Sequence, residues 1–73
     1  MLTRRFGLAI RQLREGRGWS QERLAEAADL NRSFIGEVER GHAMPSLQTI
    51  DKLAGALDIT PSILLARCEQ AVA

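Results

Sequence analysis

The sequence predicts an all-α fold, and two observations carry that expectation. Apolar residues recur at helical spacing, and helix-capping side chains stand in front of those stripes at Ser20, Asn31, Ser46 and Thr60. Nowhere do apolar and polar residues alternate with the β-branched enrichment of a strand. The chain has 73 residues, 45% hydrophobic and 26% charged, which suits one ordered domain with a modest core. At this size a partner chain often completes the stability. No internal repeat, low-complexity tract or linker divides residues 1–73, so the expected domain is single.

Five helices follow from their stops and starts. The first is expected from about Thr3 to Gly16, burying Phe6, Ile10 and Leu13, and Gly16 and Gly18 stop it. Ser20 caps the second, with Glu22 in the first turn, where the helix dipole favours an anion, and Trp19 stapled on Leu24; it ends near Ala28. Asn31 caps the third, with Leu30 and Ile35 as staple and Gly41 as the residue just past its end. The fourth starts at Ser46 behind Pro45 and is expected to bury Leu47, Ile50, Leu53, Ala54 and Leu57. Thr60 and Pro61 open the fifth, with Ile59 and Leu64 as staple.

Composition narrows the function. One cysteine, Cys68, and one histidine, His42, leave no internal disulfide and almost no ligand set for a metal. The chain reads as cytoplasmic: no stretch approaches the ~18 apolar residues of a membrane span, and Arg11, Arg14 and Glu15 interrupt any export signal after Arg4-Arg5-Phe6. No nucleophile with base and orienter, phosphate-binding glycine loop or paired carboxylates point to catalysis. No cofactor, small-molecule ligand or membrane partner is expected. Net charge is only +1, but residues 1–23 hold six arginines against Glu15 and Glu22, a local +4, while residues 24–73 hold four bases against seven acids, a local −3. A phosphate partner would meet the N-terminal third first.

Helices two and three are joined only by Asp29-Leu30, too short a link for antiparallel packing, so they must cross steeply. A steep pair on a minimal turn is a helix-turn-helix, over about residues 20–41, in which the second helix, about 31–40, enters the DNA major groove. On that helix Ile35 and Val38 point inward and Ser33, Gly36, Glu37 and Arg40 outward, with Arg32 and Phe34 on the flanks. Arg32 can give two hydrogen bonds to guanine, or else contact a phosphate. Two roles are open to Glu37, accepting from cytosine N4 or pairing with Arg40. Phe34 suits either a thymine methyl or partial burial. The N-terminus of helix four, at Ser46, Leu47 and Gln48, offers free N–H groups to a phosphate.

Residues 6–65 resemble the Cro/C1-type helix-turn-helix family of lambda-repressor-like regulators, which includes phage repressors and restriction-modification controller proteins. The resemblance rests on Ile10-Arg11-Gln12-Leu13-Arg14-Glu15, Gly18-Trp19-Ser20-Gln21-Glu22, Leu24-Ala25, Ile35 with Glu39-Arg40-Gly41, and Pro45-Ser46-Leu47. It implies that Gln21 contacts a phosphate and braces the recognition helix, that Arg32 and Ser33 stand at base-reading positions, and that Arg40 reaches phosphate. It also implies a structural ion pair between Arg14 and Glu39. The sequence departs from the family where His42-Ala43-Met44 replaces the usual basic residues before helix four, which predicts weaker and more pH-dependent binding because histidine titrates near neutrality. Asp29 stands where glycine is common, and aspartate tolerates the left-handed backbone expected there.

Ile63, Leu64 and Leu65 are consecutive and cannot all enter one core, and family members pair their last helices across a two-fold axis, so these three are the expected dimer contacts within a segment of about 59–73. Cys68 is read as an inert thiol nearby, and the tail through Ala73 as an extension or a fray. Together these features predict a bacterial or phage-encoded, nucleoid-associated transcriptional regulator. It is expected to bind double-stranded DNA at a palindromic operator as a homodimer, with RNA polymerase as a further candidate partner. The alternative is a protein-interaction module on the same fold, antitoxin-like or polymerase-binding.

Overall fold

The computed structural model describes residues 1–71, which form five helices and no strand: α1 (Leu2–Gly16), α2 (Gln21–Ala28), α3 (Arg32–Glu39), α4 (Leu47–Ala56) and α5 (Pro61–Gln70). Val72 and Ala73, the last of the expected dimerisation segment and tail, lie outside the described residues. All four expected capping side chains accept the backbone N–H they were placed to accept. Ser20 takes that of Arg23 at 3.0 Å, Asn31 that of Ser33 at 2.8 Å, Ser46 that of Thr49 at 3.2 Å and Thr60 that of Ile63 at 3.2 Å. Each such cap stabilises its helix by about 1 kcal/mol.

The helices also stop alike. Gly18, Asp29, Gly41 and Asp58 have φ of 72°, 56°, 77° and 59°. The residue after each closes the helix by donating its N–H to a carbonyl five residues back: Trp19 to Arg14, Leu30 to Ala25, His42 to Glu37 and Ile59 to Ala54. Three junctions therefore share one three-residue plan, a left-handed residue, an apolar residue and a cap: Gly18-Trp19-Ser20, Asp29-Leu30-Asn31 and Asp58-Ile59-Thr60. The left-handed Asp58 was not anticipated; aspartate before an apolar residue and a cap, as at Asp29, was the available signal.

Packing runs in a ring, α1 on α3, α3 on α2, α2 on α4, α4 on α5 and α5 on α1. Phe6, Ile10, Leu24, Ile35, Val38, Leu53, Leu64 and Cys68 are fully buried inside it. Burial also pushes the Cys68 thiol up, keeping it neutral. Two sequence expectations are corrected here. Leu47 is 80% exposed: it has the helical spacing of Ile50 and Ala54, but as the first residue of α4 it stands at the open end of that stripe. Leu64 belongs to its own core rather than to a dimer contact, because Leu64 and Cys68, four residues apart, form the stripe that α5 turns inward. Leu13 is only partly buried, at the edge of the α1 stripe.

α1 and α3 approach closely at Gly7, where a β-carbon would collide with the Val38 carbonyl oxygen and crowd that of Glu39. A glycine beside Phe6 on the apolar stripe was the sequence sign of this contact. Gly55, on the exposed side of α4, has nothing within 4 Å of the corresponding position. We expect Gly7→Ala to destabilise by about 1–3 kcal/mol through overpacking, and Gly55→Ala to stabilise by about 0.5–1 kcal/mol through helix propensity. Urea unfolding of both variants checks this; similar shifts for the two would contradict the close approach.

Candidate nucleic-acid interface

The interface is organised around one carboxylate. Glu39, at the end of α3, has a side chain only 4% exposed, and Arg14 of α1, 11% exposed, meets it through two parallel bonds, Nε to Oε2 at 2.7 Å and Nη2 to Oε1 at 3.0 Å. Arg14 Nη1 also donates to the Trp19 carbonyl at 2.7 Å, and Gln21 Nε2 donates to Glu39 Oε1 at 3.1 Å. Helix α1, the entry to α2 and the end of α3 are thus tied at one point. The hydrogen bond to Glu39 raises the Arg14 pKa above its ordinary value, with burial opposing and the Glu39 charge assisting. The bidentate geometry and the added Gln21 and Trp19 bonds offset the cost of taking this pair partly out of water, whereas one partner left alone would be costly. Gln21 is therefore fixed against α3 while its second amide hydrogen remains free.

The α2–α3 turn is Asp29-Leu30, with Asp29 left-handed and Leu30 packed against the core. It delivers α3 with Ile35 and Val38 buried and Arg32, Ser33 and Glu37 exposed. Arg32 has one carboxylate in range, Glu22 at 4.0 Å, and both side chains are well solvated. Phe34 is partly buried against the core. Of the two roles open to Glu37, the ion pair is made: it meets Arg40 at 3.5 Å and His42 at 3.2 Å. Gly36 faces outward as expected but is covered there by the Arg40 guanidinium, which lies over it. At the start of α4, Ser46 caps the helix and the exposed Leu47 leaves its end open to solvent.

Much of the N-terminal charge surplus has partners within the molecule, though only the Arg14 pair is out of solvent. Arg14 pairs with Glu39, Arg11 with Glu15 at 3.3 Å and Arg23 with Glu26 at 3.4 Å. Arg17 donates to the Leu57 carbonyl at 3.2 Å, where a cation suits the end of α4. Arg17 and Arg23 flank the Trp19 ring at 4.6 and 5.2 Å from its centroid. Among the described residues, Arg4 and Arg5 have no carboxylate within 4 Å, and Arg4 lies against Gly41 at the end of α3. No group of three or more His, Cys, Asp or Glu among the described residues could hold a metal ion, and no helix there is long and apolar enough to cross a membrane.

The helix-turn-helix family pattern matches residues 10–64. The chain belongs to the helix-turn-helix family. This helix-turn-helix protein is 41% identical to the control protein C.BamHI of Bacillus amyloliquefaciens, the match covering 89% of this chain and 88% of the relative. It is 38% identical to the helix-turn-helix transcriptional regulator SutR of Escherichia coli K12 over 80% of this chain, but spans only 33% of SutR. The crystal structure of the restriction-modification controller C.AhdI from Aeromonas hydrophila superimposes with a TM-score of 0.80 at 51% identity, covering 86% of this chain and 94% of that one. The resemblance to Cro/C1-type regulators and controller proteins read from the sequence is thereby upheld.

We expect Glu39→Ala to cost about 3 kcal/mol by stranding Arg14. Replacing both partners, as Arg14→Met with Glu39→Leu, should cost less than the sum of the single losses. Unfolding of Arg14→Met, Glu39→Leu and the double variant in urea, which does not screen the pair, measures this; additive losses would mean that the pair is not coupled.

Proposed function

We propose that this chain is a sequence-specific double-stranded DNA-binding transcriptional regulator that acts as a homodimer on a palindromic operator, with α3 in the major groove. The observation that carries the reading is the exposed start of α3. Arg32 and Ser33 project from a helix whose position is fixed by the Asp29-Leu30 turn and by the Glu39 pair with Arg14 and Gln21. Arg32 is exposed and loosely held, so its guanidinium is available to guanine O6 and N7, with Ser33 beside it; Phe34 offers an apolar edge for a thymine methyl, and Glu37 an acceptor for cytosine N4.

Phosphates are held around this face. Gln21 uses its free amide hydrogen, and Ser46 and Leu47 offer the N–H groups at the start of α4. Arg40 and Arg4, which has no carboxylate within 4 Å among the described residues, bracket the far end of α3. The likeness to C.BamHI and C.AhdI over most of both lengths supports a controller role over an antitoxin-like one.

Dimerisation falls to Ile63, 48% exposed, with the partly buried Leu65 on the other flank of the inward Leu64 of α5. Two bodies of 26 × 24 × 23 Å side by side are wide enough to set their recognition helices about 34 Å apart, one turn of DNA. RNA polymerase contact and a cytoplasmic, nucleoid-associated location belong to the same reading.

Selection from a random duplex library should enrich palindromes carrying guanine in each half-site, with affinity falling steeply as salt rises. Arg32→Ala should weaken the enriched site by about 1–3 kcal/mol and relax the guanine preference. An absence of enrichment would shift the function to protein interaction. Ile63→Glu should sediment as a monomer and bind half-sites weakly; an unchanged oligomer would remove α5 from the interface.

A further inference from the structure

The end of the recognition helix carries an ionic cluster. Glu37 Oε2 pairs with Arg40 Nη2 at 3.5 Å and lies 3.2 Å from His42 Nδ1, a contact that is an ion pair when the imidazole is protonated. The Arg40 guanidinium thereby lies back along its own helix over Gly36, where a β-carbon would stand 3.1 Å from Nη1 and 3.5 Å from Nη2. Glycine leaves the space in which that guanidinium rests. Glu37 shares the outward face of Ser33, four residues earlier, so a carboxylate oxygen occupies the place beside Arg40 and His42 that a phosphate oxygen would take.

We propose that Glu37 is a specificity-determining residue acting through Arg40: it withholds the guanidinium from DNA phosphate unless the groove offers the carboxylate another donor. The inference rests on the DNA-binding reading above. Arg40 can reach a phosphate only by leaving Glu37. That leaves a carboxylate without its arginine on the face offered to DNA, within the negative potential of the duplex. An exocyclic amine such as cytosine N4 restores a donor, whereas a position that presents only acceptors does not. On unmatched sequence the exchange is unfavourable and the phosphate contact is lost. On matched sequence both the cation and the carboxylate find partners. A base contact and a phosphate contact are thereby made conditional on each other. Because Glu37 and Arg40 are half-exposed, the effect is a bias and not a block, about two- to fivefold in affinity.

The test uses the full chain as wild type, Glu37→Gln, Arg40→Ala and the double variant. Each is titrated by fluorescence anisotropy at several salt concentrations on a random-sequence duplex and on the duplex enriched by selection. Circular dichroism confirms that each variant is folded. Glu37→Gln should tighten the random duplex by about two- to fivefold, leave the selected duplex unchanged or weaker, and steepen the salt dependence on random DNA by about one phosphate contact. In the Arg40→Ala background the same substitution should no longer tighten the random duplex. Equal tightening with and without Arg40, or equal tightening on both duplexes, would reduce the effect to simple removal of negative charge and overturn the proposal while leaving DNA binding intact. A wild-type chain that binds neither duplex would overturn both.

Discussion

The arrangement of the first three helices depends on the nearly buried carboxylate of Glu39. Its two oxygens accept three hydrogen bonds, two from Arg14 and one from Gln21, and Arg14 spends its remaining nitrogen on the Trp19 carbonyl. Those partners come from α1, from the loop before α2 and from the first residue of α2, so one group holds the end of α3 in register with everything beneath it. Apolar packing of Ile35 and Val38 keeps α3 on the core but is itself non-directional. Bidentate geometry between a guanidinium and a carboxylate tolerates much less. The polar network therefore adds orientation to what the core adds in stability.

A second constraint is local. Three of the four junctions are a left-handed residue, an apolar residue and a cap, and in each the apolar residue packs on the core while its N–H closes the helix behind it. Stop and start signals thus overlap within three residues, which leaves little freedom in the angle between successive helices. The remaining junction, Gly41 to Ser46, departs from the plan: its residue after the glycine is the exposed His42, and three further residues precede the cap. This longer loop borders the recognition helix, where Arg4 and Glu37 approach it.

Much of this was legible from residue types because the signals were local. Ser20, Asn31, Ser46 and Thr60 announce helix starts regardless of what lies elsewhere, and Asp29-Leu30 alone implies a steep crossing. What could not be read depended on direction in space. Helical periodicity shows that Ile63, Leu64 and Leu65 diverge but not which of them faces α1, and the choice of Leu64 follows from its pairing with Cys68. Leu47 looks like the first member of a stripe until the cap places it on the open first turn. Likewise, six N-terminal arginines look like a reservoir of charge for a polyanion, and only the folded positions of Glu15, Glu26, Glu39 and the Leu57 carbonyl show that four are already engaged. The resemblance to Cro/C1-type regulators supplied the Arg14–Glu39 pair, which sequence separation alone would not have joined.

The ring of helix packings has a consequence for synthesis. Of the five helices α1 is made before the others, yet one of its two principal neighbours is α5, the farthest from it along the sequence. Until α5 arrives, the side of α1 that it covers stays uncovered on the nascent chain, even though the capped turns allow the intervening helices to form early. Closure of the ring therefore waits for α5 to meet α1, and a ribosome that stalls before α5 would present an open hydrophobic trough to chaperones and proteases.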